Sequence, residues 1–172
     1  RIYMEETAKF GVDNVALLSP YRQKTDTGVN ALNERIRLQI KPPDAAKKEV
    51  VLGKRAFRVG DKVMQTKNRE DINNGDVGYI TEISGSGSET VVKIDFGDGR
   101  MAEYDITELG LLDLGYASTI HKSQGSEYQS VIINLQCAHA IMLVRPLIYT
   151  AITRAKERVI IVGERRALCL AI

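Results

Sequence analysis

Large aromatic rings and cysteines are scarce in this sequence. Its 172 residues include no tryptophan, 3 phenylalanines, 7 tyrosines and 2 cysteines. With so few rings, an aromatic stacking platform is not indicated. Cys137 and Cys169 stand in apolar surroundings, without a Cys-x-x-Cys pair or a Cys/His ligand spacing. This pattern favours two buried, reduced thiols over a disulfide or a zinc site.

Long apolar runs are also missing. No span is long and apolar enough to cross a membrane, and the N-terminus lacks the pattern of a signal peptide. The apolar content of 44% is nevertheless enough for a folded core. We therefore expect a soluble, cytoplasmic protein with no membrane partner. Because the chain opens at Arg1 without an initiator methionine, we interpret it as a piece of a longer protein.

The net charge is small, at +2, and by itself does not indicate a nucleic-acid-binding protein. Its distribution is uneven, because residues 47–69 hold eight lysines and arginines against two acids, whereas residues 70–105 hold nine acids against two basic residues. Two interpretations of the basic half stay open, a solvated face and a nucleic-acid contact surface.

An α/β pattern occupies both ends of the chain. An apolar run at residues 15–18 predicts a buried strand, and apolar residues at helical spacing predict a helix at Val29–Ile40 that Pro42 ends. Later strands are predicted at residues 115–119, 130–135 and 158–162, with helices over the HKSQG sequence and residues 145–153. The near-continuous apolar runs are typical of parallel strands covered on both faces.

Short alternating strands occupy the middle of the chain. They are predicted at residues 55–58, 62–67, 78–84, 90–96 and 101–104, separated by turns rich in Gly, Asn and Asp. Five such strands in so few residues predict a small closed barrel. The expected fold class is therefore α/β, with a parallel-sheet domain at residues 1–46 and 106–172 that is interrupted by an all-β barrel at residues 47–105.

Two segments have the chemistry needed to bind phosphates. Residues 116–127 (YASTIHKSQGSE) are named the HKSQG segment, and residues 149–156 (YTAITRAK) the ITRAK segment. They place hydroxyls, a histidine, a lysine, a glutamine and an arginine where strand–helix junctions are expected. Such junctions offer backbone N–H groups and short side-chain donors to phosphates.

Three further matches, at residues 18–22 (LSPYR), 60–64 (GDKVM) and 74–78 (NGDVG), complete a family resemblance. The chain resembles the C-terminal half of RecD-like helicases of superfamily 1, a group that includes the TraA-type conjugative helicases. The resemblance implies a second RecA-like domain of the P-loop NTPase type, interrupted by an SH3-like barrel. It also implies the motor part of an ATP-dependent DNA helicase that moves from five-prime to three-prime, in DNA repair and recombination.

The resemblance assigns catalytic roles to two arginines. Arg22 would contact the γ-phosphate of ATP from the carboxyl end of a parallel strand, where ligands of open α/β sheets bind. Arg154 would be the arginine finger, a cation that stabilises charge on the transferring phosphoryl group. The plainer interpretations are a surface arginine paired with a local acid at Arg22, and a helix-end arginine that caps carbonyls at Arg154.

The resemblance divides the HKSQG segment between DNA and nucleotide. DNA contacts are expected from Thr119, His121 and Lys122, and nucleotide contacts from Gln124, Gly125 and Glu127. Glu127 would accept a hydrogen bond from the ribose of ATP. By contrast, His139 is interpreted as a structural, hydrogen-bonding histidine.

The barrel carries a second group of candidate DNA contacts. Lys62, Lys67, Asn68 and Arg69 are predicted to form a sequence-independent electrostatic track for single-stranded DNA. The Gly and Asn residues of the neighbouring turns are what any small barrel needs at positive φ. The residues of those turns are therefore stronger evidence for the fold than for a function.

The chain lacks two parts of an ATPase site. It has no Gly-x-x-x-x-Gly-Lys-[Ser/Thr] loop and no acidic magnesium motif, and Lys41-Pro42-Pro43 stands where the family usually has Asn-Pro. The resemblance implies that an N-terminal RecA-like domain of the full-length protein binds most of the ATP and Mg²⁺. We expect this chain alone to hydrolyse no ATP, to hold no cofactor tightly and to have no metal site. The implied partners are single-stranded DNA, that N-terminal domain, and nuclease or helicase subunits.

Two other classes of function stay open on the residues alone. One is a non-catalytic module in which the barrel binds nucleic acid or protein. The other is a nuclease or transferase that uses Asp95, Asp98 and Glu103, although these acids lie in a turn-rich stretch without a histidine. Within the helicase interpretation, a repair helicase and the motor of a conjugative relaxase are not distinguished, nor is DNA from RNA.

Overall fold

The chain forms two compact units. In a computed structural model, unit 1 consists of Arg1–Glu34 and Tyr116–Ile172, and unit 2 is the intervening Arg35–Gly115. The structure describes residues 1–23, 26–44, 48–53 and 55–172. Lys47 and Lys54 of the basic stretch lie outside the described residues, as does the domain limit expected at 46/47. The domain limits expected at 46/47 and 105/106 stay predictions.

Short helices and strands make up most of the described chain. The helices are α1 (Ile2–Phe10), α2 (Val29–Ile40), α3 (Arg145–Ile152) and α4 (Arg165–Ala171). The strands are β1 (Val15–Ser19), β2 (Glu49–Leu52), β3 (Arg55–Arg58), β4 (Lys62–Gln65), β5 (Val77–Ser84), β6 (Val91–Asp95), β7 (Met101–Asp105), β8 (Leu112–Leu114), β9 (Ala117–Thr119), β10 (Tyr128–Leu135) and β11 (Ala155–Gly163). Within the described residues, none of the helices has the length and apolarity needed to cross a membrane.

Unit 1 is built on a parallel sheet of order β11-β10-β1-β9. The predicted strands at residues 15–18 and 130–135 are confirmed, and both are buried. One face of the sheet, including Leu18 and Ile133, packs against α3 and α4 through Leu147, Ala151 and Ala167. Burial of this apolar surface is the main favourable term for folding of the unit.

The strand β11 corrects the expectation that every parallel strand is covered on both faces. Its Val159 and Ile161 are 37% and 40% exposed. Among the described strands, β11 pairs with β10 alone and ends the sheet, so fewer neighbours cover it. The apolar run therefore predicted the strand but not its place in the sheet.

The two cysteines correct a second expectation. Both are free, but Cys137 is only partly buried and Cys169 is exposed. The buried residues of α4 are Ala167 and Ala171, which are one helical turn apart and lie on the same face. Cys169, midway between them in sequence, points to the solvent side.

A buried carboxylate attaches α1 to the sheet of unit 1. Glu6 is 5% exposed. It accepts a hydrogen bond from Ser130 Oγ at 2.6 Å and pairs with Arg158 at 3.0 Å. One side chain therefore connects the first helix to β10 and β11, more than a hundred residues away in sequence.

Unit 2 contains a five-stranded antiparallel sheet of order β7-β6-β5-β4-β8 and a separate hairpin of β2 and β3. This corrects the predicted set of five barrel strands. The strand at residues 55–58 pairs with β2, and β8, which was not predicted, lies beside β4. A three-residue strand such as β8 shows too little alternation to be recognised. Its pairing accounts for the extension of unit 2 to Gly115.

Close backbone approaches shape unit 2. Asp61 is fully buried, accepts the backbone N–H of Arg58 at 2.9 Å and lies 3.7 Å from the guanidinium of Arg37. Gly78 lets β5 approach β6, because a Cβ at this position would lie 2.6 Å from the carbonyl oxygen of Asp95. A larger residue at Gly78 would require the strands to move.

Candidate functional site

The loop after β1 carries Arg22 at the carboxyl edge of the parallel sheet. The carbonyls of Tyr21 and Arg22 accept the N–H groups of Val29 and Asn30 at 3.0 and 3.1 Å. These two donors belong to the first turn of α2, where N–H groups have no partner within the helix. The loop is therefore tied to the start of α2, and the Arg22 side chain is exposed.

Buried polar side chains hold the other end of that loop. The carbonyl of Thr27 accepts Ser19 Oγ at 3.1 Å and Asn134 Nδ2 at 2.8 Å. Near the beginning of the loop, the Tyr21 ring packs edge-on against His139, with 5.5 Å between ring centroids. The Arg22 loop is therefore anchored on both sides of the arginine.

His139 supports this loop from the core. Its side chain is fully buried, and its Nδ1 accepts the backbone N–H of Gln136 at 3.3 Å. Burial lowers the pKa of the imidazole, and the charge of Glu164 opposes that shift in part. This geometry agrees with the prediction of a structural, hydrogen-bonding histidine.

After β9, the HKSQG segment runs from the carboxyl edge of the sheet back to its amino edge. β9 ends at Thr119, whose Oγ1 accepts the N–H of Lys122 at 3.3 Å. The helix predicted here is a single 3₁₀ turn, His121–Ser123. Ser123 is buried and donates to the carbonyl of Ile120 at 2.7 Å, so the turn is fixed from its inner side while His121 is exposed.

The segment opens to solvent at Gln124 and Gly125. Both residues are exposed, and Gly125 has a φ of +87° with nothing within 4 Å of a Cβ built on it. In the described part of the chain, the N–H groups of His121 and Gly125 donate to no acceptor. Open backbone donors of this kind are suited to an anionic ligand.

Arg154 lies between α3 and β11, at the amino edge of the sheet. Its Nε donates to the carbonyl of Thr150 at 3.3 Å, Nη1 to the carbonyl of Ser126 at 3.4 Å, and Nη2 to Thr153 Oγ1 at 3.5 Å. All three acceptors are neutral and all three distances are long. Among the residues that the structure describes, no carboxylate pairs with this guanidinium. The capping of carbonyls foreseen as the plainer role is therefore present, but weak.

An exposed ion pair joins the HKSQG and ITRAK segments. Lys156 Nζ lies 3.1 Å from Glu127 Oε2, and the two side chains are 52% and 62% exposed. A solvent-exposed pair contributes at most about 1 kcal/mol. Glu127 can therefore exchange Lys156 for another hydrogen-bonding partner at little cost.

A cleft of about 260 Å³ lies between the HKSQG segment and α3. It is lined by His121, Gln124, Ile141, Met142, Val144, Pro146, Leu147 and Thr150. Most of its walls are apolar, and Ile141 is 85% exposed. Sequence reasoning named His121 and Gln124 as site residues and missed Ile141, Met142 and Val144, because residues 140–144 have neither a helical nor a strand period.

The structure separates the two predicted catalytic arginines. Arg22 follows the carboxyl end of β1, whereas Arg154 precedes the amino end of β11 in the same parallel sheet. The five residues of β1 span about 16 Å at roughly 3.3 Å per residue. Arg22 shares its edge with Thr119, since Ser19 and Thr119 are opposite each other in β1 and β9. Arg154 shares its edge with Glu127.

Comparisons with known proteins match both units. Residues 114–162 match the family model of the UvrD-like helicase C-terminal domain, and residues 32–96 match that of the ATP-dependent RecD-like DNA helicase SH3 domain. The ATP-dependent RecD2 DNA helicase of Deinococcus radiodurans is 37% identical over 163 residues, which are 94% of this chain and 22% of the relative. The chain belongs to the RecD-like helicase family.

Other matches agree with this RecD-like assignment. The RecBCD enzyme subunit RecD of Mycolicibacterium smegmatis is 36% identical over 120 residues, which are 68% of this chain and 20% of the relative. The crystal structure of Pif1 helicase from Bacteroides in complex with ADP-AlF3 and ssDNA has a TM-score of 0.55 at 19% identity, over 84% of this chain and 40% of that one. The predicted fold class, RecA-like with an SH3-like insertion, is confirmed. The chain spans about a fifth of the length of the curated relatives it matches.

Two members of the predicted DNA track, Lys62 and Asn68, have structural roles in this RecD-like chain that limit contact with DNA. Lys62 is buried, with 6% exposure. Asn68 uses its Oδ1 to accept the N–H of Asn74 at 2.8 Å, which closes the turn before β5. Lys67 is exposed and has no partner among the described residues. Of these three, only Lys67 has the exposure and freedom that a track requires.

Arg69, the fourth member, is engaged on several sides. Its guanidinium lies 3.3 Å from Glu108 and 4.4 Å from the ring centroid of Tyr104, and it donates to the carbonyl of Glu103 at 2.8 Å. An arginine held by a carboxylate and an aromatic face must give up both to reach DNA. The four DNA contacts stay a prediction, which this arrangement disfavours for Lys62 and Arg69.

The acids of the nuclease or transferase alternative do not converge. Asp95 accepts the N–H of Gly97 at 2.8 Å, and Glu103 lies 3.6 Å from Lys93. Asp98 occupies a turn at a φ of +54°. In the described ranges, no group of three or more His, Cys, Asp or Glu residues is placed to hold a metal. The acids of this stretch have turn-forming and ion-pairing roles.

Proposed function

We propose that this chain is the C-terminal motor portion of an ATP-dependent DNA helicase that moves from five-prime to three-prime on single-stranded DNA. The relative that is 37% identical over 94% of this chain is an ATP-dependent DNA helicase. In this proposal the intact protein adds an N-terminal RecA-like domain that binds most of the ATP and Mg²⁺. Nuclease or helicase subunits are further partners, as the name of the RecBCD-type relative suggests.

The observation that carries the proposal is the uncompensated charge of Arg154. Its guanidinium contacts three neutral oxygens at 3.3, 3.4 and 3.5 Å. It can turn toward a phosphate without first breaking an ion pair, and its planar fork suits two phosphate oxygens at once. We assign Arg154 as the arginine finger that stabilises charge on the transferring phosphoryl group.

The remaining contacts to the nucleotide are assigned to residues that lie near Arg154. The HKSQG segment touches Arg154 through the carbonyl of Ser126. On this segment, the open backbone of Gly125 and the exposed amide of Gln124 fit phosphate oxygens, and Glu127 fits a ribose hydroxyl. ATP, when bound, supplies the phosphoryl group. This chain supplies the cation and the polar groups that close on it.

DNA phosphates are assigned to the carboxyl edge of the sheet, where Thr119, His121 and Lys122 lie. Hydroxyl, imidazole and ammonium groups beside free backbone N–H groups are the usual contacts of a sugar-phosphate backbone. Arg22 lies on the same edge, and its expected contact with the γ-phosphate stays a separate assignment, because the five residues of β1, about 16 Å, separate this edge from the one that carries Arg154. If both arginines touch one phosphate, the effects of removing them will not add.

The ATPase rate of the full-length protein, stimulated by single-stranded DNA, tests the proposal. Arg154→Ala is expected to lower kcat by about three orders of magnitude or more while the affinity for ATP changes by a few-fold at most. Arg154→Lys keeps the charge but loses the fork and is expected to recover little. Arg145, exposed at the other end of α3, gives the matched control Arg145→Ala, which should keep the wild-type rate.

An unchanged rate in a folded Arg154→Ala protein would leave Arg154 with its capping role alone. DNA binding that persists in that case and does not respond to nucleotide would favour the binding-module alternative. Additive losses in an Arg22→Ala, Arg154→Ala double variant would assign the two arginines to different groups.

A further inference from the structure

The strand at the start of the HKSQG segment is weakly held by its own backbone. β9 has three residues and pairs with β1 from Ala117 to Thr119. In the sheet formed by the described residues, β9 is an edge strand with no strand on its other side. The outward-facing N–H and C=O groups of an edge strand need partners from elsewhere.

The carboxamide of Asn33 takes the place of a neighbouring strand. The N–H of Ala117 donates to Asn33 Oδ1 at 2.7 Å, and Asn33 Nδ2 donates to the carbonyl of Ala117 at 3.1 Å. One side-chain amide therefore satisfies both backbone groups of one residue, as a paired peptide would. Asn33 and Ala117 are 3% and 2% exposed, so both bonds lie where water cannot replace them.

The helix that carries Asn33 is also tied to Arg22. The N–H of Asn30, one turn earlier in α2, donates to the carbonyl of Arg22 at 3.1 Å. Thr119 follows Ala117 by two residues, and His121 follows it by four. A single helical turn therefore connects the Arg22 loop with the strand that ends at the predicted DNA contacts.

We propose that Asn33 is a positioning residue for nucleic-acid binding. It holds β9, and with it Thr119 and His121, at a set distance from the Arg22 loop. This inference rests on the proposed function, because it requires the HKSQG segment to contact DNA phosphates. Without the carboxamide, the N–H and C=O of Ala117 would be buried without partners, and β9 would shift to satisfy them.

The test uses the full-length protein and separates DNA dependence from ATP dependence. In Asn33→Ala, the DNA concentration that gives half of the maximal ATPase stimulation is expected to rise about tenfold, while KM for ATP changes less than about twofold. Asn33→Leu keeps the branched shape of the side chain and removes both hydrogen bonds to Ala117 without burying a charge, so it should show the same split with less loss of packing. Gln39→Ala, which removes an exposed carboxamide at the other end of α2, is the control and should behave as wild type.

Amide hydrogen exchange gives a readout independent of activity. In both Asn33 variants, Ala117 should exchange faster while β10 stays protected. A merely structural role would lower the active fraction and kcat without moving the half-stimulating DNA concentration, and that result would overturn the inference. A folded Asn33→Leu protein with wild-type DNA dependence would also overturn it. Failure of the proposed function is a different result, in which the wild-type ATPase does not respond to single-stranded DNA.

Discussion

Replacement of Glu6 by alanine should destabilise unit 1 by about 2–3 kcal/mol. Ser130 is fully buried, and without Glu6 its hydroxyl loses its acceptor at 2.6 Å. A buried donor left without a partner costs about 1–3 kcal/mol. Arg158 adds less, because its side chain is 46% exposed and water screens the pair to about 1 kcal/mol or below.

Urea unfolding of the 172-residue chain, followed by far-ultraviolet circular dichroism, measures this free energy. Glu5 is the matched control, since it is the same residue type at the next position and pairs with Arg1 on the surface, with side-chain exposures of 63% and 89%. Glu5→Ala should cost under about 0.5 kcal/mol. A double-mutant cycle of Glu6→Ala with Ser130→Ala should show a coupling of about 1 kcal/mol or more. Equal losses for Glu5→Ala and Glu6→Ala, with no coupling to Ser130, would refute the reasoning.

Two further predictions concern stability elsewhere in the chain. Gly78→Ala places a Cβ 2.6 Å from the carbonyl oxygen of Asp95 and should destabilise unit 2 by about 1–3 kcal/mol in a thermal melt. In the same melt Gly110→Ala should be near neutral, because no atom lies within 4 Å of a Cβ built at Gly110. Burial lowers the pKa of His139 below its usual 6.5, so the unfolded chain binds more protons and stability should fall as the pH drops below about 6.5. His139→Gln should flatten this pH dependence between pH 5 and 7, and an unchanged slope would show that another group causes it.

Local periodicity predicted most of the elements near the site. The helix Val29–Ile40 and the strands that became β1, β10 and β11 follow from apolar spacing within each segment. The HKSQG sequence was expected to form a helix, but only a 3₁₀ turn formed. Thr119 Oγ1 and the carbonyl of Ile120 take up the donors of Lys122 and Ser123, and such local bonds compete with a regular helix.

The electrostatic track stays a prediction, but charge in sequence did not reveal how buried or engaged its members are. Lys62 and Arg69 were grouped by sign and proximity in the chain. In the folded unit Lys62 is buried, and Arg69 lies against Glu108 and Tyr104. Glu108 is nearly forty residues from Arg69 in sequence, so no local pattern could have shown that the two meet.

The sequence by itself determined the family, most of the strands and helices of unit 1, and the residue types suited to phosphate binding, because these depend on short-range pattern and on motifs of a few residues. Tertiary structure alone decided that Arg22 and Arg154 lie at opposite edges of one sheet. It also decided that Asn33 satisfies the edge of β9 and that Glu6 is buried against Ser130. Strand order, burial and long-range hydrogen bonds arise only when segments distant in the chain pack together. Local sequence patterns do not show which of those segments come into contact.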